Sequence, residues 1–102
     1  MKNWIILAVY SLMMVTGTAV AGGDVAAGEA KAAEACAGCH GAAGEGMGDN
    51  PPLAGLDKKE HAEMLFAYKD GSKEGAMMQM FSAPLSEEDI WNLAAYYASL
   101  GE

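Results

Sequence analysis

Residues 34–44 read EACAGCHGAAG, and they contain both cysteines of the 102-residue chain. Cys36-Ala37-Gly38-Cys39-His40 is a C-x-x-C-H motif. Two intervening residues hold the sulfurs at about the separation of the two vinyl groups of a haem, to which thiols add as thioethers. The histidine that follows is then carried to the iron as proximal ligand. This spacing is the attachment signal for a c-type haem. Rival readings fit less well. A thioredoxin-like C-x-x-C belongs beside a βαβ unit, and outside the N-terminal apolar segment the chain shows no alternating apolar run of strand character. A zinc site needs about four ligands, and Cys36, Cys39, His40 and His61 have no finger-like spacing. A plain disulfide explains neither His40 nor the glycines behind it.

The N-terminus places this motif in a compartment. Lys2 precedes an apolar run from Trp4 to about Val15, and small residues follow to Ala19-Val20-Ala21. That is a charged leader, a short apolar stretch and an A-x-A cleavage pattern. The run is too short to span a bilayer comfortably. The expectation is a signal peptide over 1–21, cleaved after about Ala21, and a domain over 22–102 in the periplasm, with no stable membrane insertion after cleavage. So small a domain buries a modest core and often needs a staple. Its many alanines and glycines add little volume, so a bound cofactor would supply what the side chains do not.

Charge narrows the partners. Fourteen Asp and Glu face six basic residues, all lysine, for a formal net charge of −8. Nucleic acid is excluded on that count, because phosphate binding needs a basic face. An acidic protein is steered instead toward basic patches on other proteins.

Helical signals organise the rest. Asp24 caps a first helix that runs to about Cys36. Residues 41–56 hold five glycines and two prolines and read as a loop. Asp57 and Glu60 open a second helix, with His61, Met64, Leu65 and Tyr68 on one face and Gly71 at its end. Residues 72–85 read as irregular. Ser86 and Asp89 open a last helix, whose stripe is Ile90, Leu93, Ala94 and Tyr97, widened by Trp91, Ala95 and Tyr96. The fold expected is all-α, three main helices with loops wrapped around one haem.

A haem iron held by His40 wants a sixth ligand. His61 sits among charged neighbours and reads as a partly exposed residue rather than a ligand. Met64 reads as packing, and Met47 stands among mobile glycines. The cluster Met77, Met78 and Met80 is the better source, because it lies far from His40 along the chain and can close over the opposite face.

Together these segments resemble a class I cytochrome c of the small bacterial periplasmic monohaem type. GDVAAGEAKAAEACAGCHGAAGEG resembles its first helix and haem loop, PPLAGL the stretch beneath the proximal histidine, and MMQMFSAPLSEEDIWNLAAYYASL its ligand loop and closing helix. The resemblance implies the cytochrome c fold, haem c on Cys36 and Cys39, and His40 as an iron ligand. Counting back from the Ser86 cap, it implies Met78 as the other, with Met80 and Met77 as alternatives. It also implies that a carbonyl of Pro51 or Pro52 accepts from His40, and that Gly28 lies at the crossing of first and last helices, facing Leu93 and Tyr96. Many relatives carry an aromatic where this chain has Ala32, a space for Trp91 or Tyr97 to fill.

The function expected is a monomeric electron carrier, not an enzyme, cycling Fe(II)/Fe(III) between redox partners with basic docking patches. Glu45, Asp49, Asp70 and Glu74 are candidates for steering them. Two alternatives stay open: the cytochrome subunit of a periplasmic dehydrogenase, for example one oxidising a sulfur compound, and a ligand-binding haem protein.

Overall fold

The computed structural model describes residues 22–101; the expected signal segment, 1–21, lies outside them. Among the described residues five helices follow in order: α1 Val25–Ala35, α2 Ala37–His40, α3 Lys58–Asp70, α4 Ala76–Ser82 and α5 Glu87–Ser99. Among the described residues no strand forms, and the one isolated bridge joins Met47 to Asn50.

The two ends of this segment are fastened first. Asp24 Oδ1 accepts from the backbone N–H groups of Ala26 (3.0 Å) and Ala27 (3.4 Å), which caps α1. The Asp24 N–H itself donates to Asn92 Oδ1 at 2.7 Å, tying the start of α1 to the middle of α5. Ser86 and Asp89 form a reciprocal capping box, each side chain 2.9 Å from the other's backbone N–H.

Helices α1 and α5 pack closely because α1 offers almost no side chain at the crossing. Gly28 and Ala32 are its buried residues, four apart on one face. A methyl group on Gly28 would run into the Asn92 carbonyl and stand 2.8 Å from Tyr96 Cβ. The residue above the glycine is therefore Asn92, one position before the expected Leu93, with Tyr96 beside it as expected. Helix α5 is buried over Ile90 and over Asn92–Tyr97, because α1 and α3 pack on it from different sides. Trp91 is half-buried and meets Phe66 of α3 edge-on, with ring centroids 6.4 Å apart.

One element departs from the sequence reading. Residues 76–82 form a helix, α4, within the stretch expected to be irregular. Nothing signals its start, since Gly75 supplies no side-chain cap, and seven residues are too few to hold a helix in isolation. Tertiary contacts hold it. It packs on α3, Lys69 Nζ of α3 donates to the Ala83 carbonyl at its C-terminal end at 2.8 Å, and Gln79 Nε2 donates to the Lys73 carbonyl at 3.1 Å. A cation on the last carbonyls also suits the helix dipole.

The crossing predicts an asymmetry within α1. Gly28→Ala should lower unfolding free energy by about 3 kcal/mol, through overpacking against backbone that cannot yield. Ala33→Gly on the exposed side of the same helix should cost about 1 kcal/mol, the propensity difference alone. Guanidinium unfolding of the two variants measures both.

Candidate cofactor site

The C-x-x-C-H motif is one helical turn. The N–H of Cys39 and the N–H of His40 both donate to the Cys36 carbonyl, at 3.2 and 3.0 Å. Positions i, i+3 and i+4 share a helix face, so both sulfurs and the imidazole project from the same side. Cys36 is half-buried and Cys39 exposed, and the two are not joined in a disulfide. Burial pushes the Cys36 thiol above its usual range, and a hydrogen bond with Tyr97 pulls it partly back.

His40 is buried, and its Nδ1 lies 2.8 Å from the Pro51 carbonyl oxygen. A carbonyl only accepts, so Nδ1 carries a proton here and Nε2 is the nitrogen left to face a metal. The glycine-rich loop is folded to bring Pro51 there. Gly44, at φ +69°, turns its carbonyl toward the backbone N–H groups of Leu53 and Ala54, at 2.8 and 3.0 Å. Gly46 N–H donates to the His40 carbonyl at 2.7 Å, and Asn50 Nδ2 to the Cys39 carbonyl at 2.9 Å. Of the two prolines weighed from the sequence, Pro51 makes this bond, while Pro52 lines the cavity next to it.

Against these residues lies a mainly apolar cavity of about 460 Å³, within the range of cofactor sites. Cys39, His40 and the two prolines wall one side, Met64, Leu65 and Tyr68 of α3 another, and Met77, Met78 and Phe81 of α4 a third. A smaller recess of about 30 Å³ continues it inward past Cys36 and Tyr97. Met78 borders both spaces and packs on the core. Met77 and Met80 are 56% and 59% exposed, and Met47 is 51% exposed. The donor set fits haem c: two thiols and one oriented imidazole stand on one face of a turn, with a thioether across the same cavity. Cys36 and Cys39 would hold the porphyrin, and His40 would face its iron.

Two residues of this site were not foreseen. His61, expected to be partly exposed, is 3% exposed and lines both spaces. Its charged sequence neighbours concealed this, but its place in the stripe with Met64, Leu65 and Tyr68 was the signal. Ser82, at the end of α4, is wholly buried and had no signal at all.

Comparison with known proteins gives this site a family. The family described as "Cytochrome C oxidase, cbb3-type, subunit III" matches residues 23–96. Cytochrome c-554(547) of Halothiobacillus neapolitanus is 42% identical over 89 residues, covering 76% of this chain and 98% of its own. The chain belongs to the class I cytochromes c. A protein of Thiomonas intermedia named thiosulfate dehydrogenase electron acceptor is 39% identical over 67 residues, which cover 64% of this chain and 31% of that one. The cytochrome c4 structure of Acidithiobacillus ferrooxidans superposes with a TM-score of 0.73 at 27% identity, over 83% of this chain. This cytochrome c spans about half, 53%, of that c4 chain. The shared fold is all-α around a covalent haem c, and the shared role is that of an electron carrier.

The burial of His61 sets a pH dependence. Desolvation, with a smaller contribution from nearby His40, holds its imidazole at about 4, against 6.5 for a free histidine. The unfolded chain takes up a proton near pH 6.5 that the folded protein refuses until about pH 4. Stability is therefore full above pH 6.5 and falls as the pH drops toward 4, by on the order of 3 kcal/mol. In His61→Leu that part of the slope should vanish, as unfolding of both proteins across this range will measure.

Proposed function

We propose that the protein is exported to the periplasm, loses residues 1–21, and works there as a monomeric one-electron carrier with His40 and Met78 as the two axial ligands. The observation that carries the ligand assignment is the position of Met78: among the methionines of α4 it is the one that packs on the core and borders both parts of the cavity. Among the described residues no helix is long and apolar enough to cross a membrane.

Bound through Cys36 and Cys39, haem iron would supply an Fe(II)/Fe(III) couple. The chain's own residues determine how that couple behaves. The His40–Pro51 hydrogen bond fixes the imidazole plane and strengthens its donor nitrogen. Met78 offers a soft, neutral sulfur, which favours the reduced state relative to a second histidine. If His40 and Met78 both held the iron, no open position would remain for a substrate, and the reading is a carrier rather than an enzyme. Leu65, Leu85, Leu93 and Tyr97 exclude water behind the cavity, while Cys39 stays exposed at its edge, where electrons would leave.

Exposed carboxylates would steer partners. Glu45, Asp49, Asp70 and Glu74 are all exposed. Backbone N–H groups, its own and that of Ala43, keep the Glu45 carboxyl below the usual carboxylate range. The Ser72 hydroxyl and N–H do the same for Asp70. Both stay charged at neutral pH, and a basic docking patch is the complementary surface.

A second reading is favoured by one observation, the relative named thiosulfate dehydrogenase electron acceptor. The chain would then serve a dehydrogenase of a sulfur compound, as subunit or as dedicated acceptor. Size-exclusion of the native protein separates these: a free carrier elutes alone, a subunit with its partner.

The axial assignment predicts a spectral contrast. The oxidised protein should show the weak red absorption of a methionine–ferric bond. Met78→Ala should abolish it and open the reduced iron to carbon monoxide, whereas Met80→Ala and Met77→Ala should keep it. Steering predicts that electron transfer to a basic partner slows as salt rises from about 10 mM to about 150 mM, over which screening shortens from roughly 30 to 8 Å. Stopped-flow kinetics at several salt concentrations checks it.

A further inference from the structure

We propose that the ammonium group of Lys73 pairs with a propionate carboxylate of the haem at the mouth of the cavity, beside Tyr68. The inference rests on the haem c that the family carries, and not on which methionine binds its iron.

The need comes from the cofactor. Haem bears two propionates on the edge away from its vinyl groups. The thioethers would fix the vinyl edge at the cysteine turn, so the carboxylates belong toward the other walls of the cavity. Those walls are mostly apolar, and a carboxylate without a partner there is costly. Water at the mouth or a cation has to meet it. The chain offers no arginine, and its six basic residues are all lysine.

Of the lysines among the described residues, four are engaged or placed elsewhere. Lys31 pairs with Glu34 and Asp89, each at 3.9 Å, where α1 meets α5. Lys69 Nζ donates to the Ala83 carbonyl at 2.8 Å. Lys58 lines a separate hollow with Gly23, Ala95 and Gly101. Lys59 is exposed on the first turn of α3, nine residues before Tyr68 and so about 14 Å from it along the axis.

Lys73 differs from all four. Its Nζ lies 5.6 Å from the centroid of the Tyr68 ring, and Tyr68 lines the cavity. At that distance the ring face attracts a cation, which keeps the ammonium beside the cavity wall. The segment that carries it is folded onto the same ring, for a methyl group on Gly75 would stand 2.9 Å from Tyr68 Cε1. The Lys73 N–H donates to the Ala67 carbonyl at 3.2 Å, and its carbonyl accepts from Gln79 Nε2 at 3.1 Å. Among the described residues no carboxylate pairs with Lys73. The neighbouring Asp70 accepts from the Ser72 N–H instead, at 2.8 Å. An ammonium has three donors, and a carboxylate is their strongest acceptor. A cation here also offsets propionate charge that would otherwise favour Fe(III).

Two measurements on the holoprotein test the pair. A water-soluble carbodiimide joins a carboxyl to an amine in contact with it, forming an amide while the carbodiimide takes up the water as a urea. After digestion, the peptide holding Cys36 and Cys39 should carry a haem joined through a propionate amide to Lys73. Haem joined to Lys58, Lys59 or Lys69 instead, or propionates left unlinked, would overturn the assignment. A cysteine peptide without haem would overturn the cofactor reading and the pair together. The second measurement is the ratio of reduced to oxidised protein against a fixed mediator at low salt. Lys73→Gln should lower it about threefold, the effect of one charge near the haem edge in largely aqueous surroundings. Lys73→Arg keeps the charge and should stay within about 1.5-fold of wild type, as should Lys59→Gln. A Lys73→Gln protein no different from Lys59→Gln, or an arginine variant behaving as the glutamine one, would refute the pair. The red methionine band, followed in each variant, distinguishes a change of axial ligand from loss of the pair.

Discussion

The hydrogen bond from His40 Nδ1 to the Pro51 carbonyl, 2.8 Å long, is the constraint around which this molecule is arranged. It decides which imidazole nitrogen is protonated and therefore which is free to face the cavity. It also dictates the loop. The chain must leave His40, reverse, and return a proline carbonyl beneath the ring within eleven residues. Gly41, Gly44 and Gly46, with φ of +97°, +69° and +90°, make that reversal, and conformations of this kind are inexpensive only for glycine. A glycine-rich stretch that looks like a flexible connector is thus the framework of the proximal side, fixed by bonds from Leu53, Ala54 and Gly46.

A second constraint closes the fold around the cavity. Residues at opposite ends of the described segment meet where Gly28 lies against Asn92 and Tyr96, and the Asp24–Asn92 hydrogen bond reinforces the junction. This brings α1, which leads directly into the cysteine turn, onto α5, which supplies most of the buried apolar surface. Helix α3 and then α4 complete the wall on the methionine side. The core is small, and much of its lining faces the cavity rather than other side chains. A covalent cofactor is therefore part of the packing as well as the redox centre.

The sequence made plain whatever is encoded locally. The caps at Asp24, Asp57 and Ser86 announced the three long helices, and C-x-x-C-H named the cofactor without reference to anything distant. What it did not reveal depends on tertiary contact. Helix α4 has no start signal and is too short to persist alone, so its existence follows from docking on α3. Pro51 and Pro52 are adjacent and chemically alike, and only the path of the loop distinguishes their carbonyls. Asn92 replaced Leu93 over Gly28 because a helix crossing is set by packing register, and one residue is a rotation of 100°. His61 was misjudged from its charged neighbours in sequence, although its stripe already pointed inward. Ser82 could not have been singled out, since a lone serine two residues before a proline resembles any surface turn.

The central claim is that one haem is joined by two thioether bonds to the turn bearing Cys36, Cys39 and His40. Intact-mass spectrometry under denaturing conditions, on protein matured in a periplasm competent for haem attachment, tests it most directly. The account predicts a single species heavier than the polypeptide by one haem, which persists after acid and organic solvent. A folded protein with the mass of the bare chain, its two thiols free or joined to each other, would contradict it.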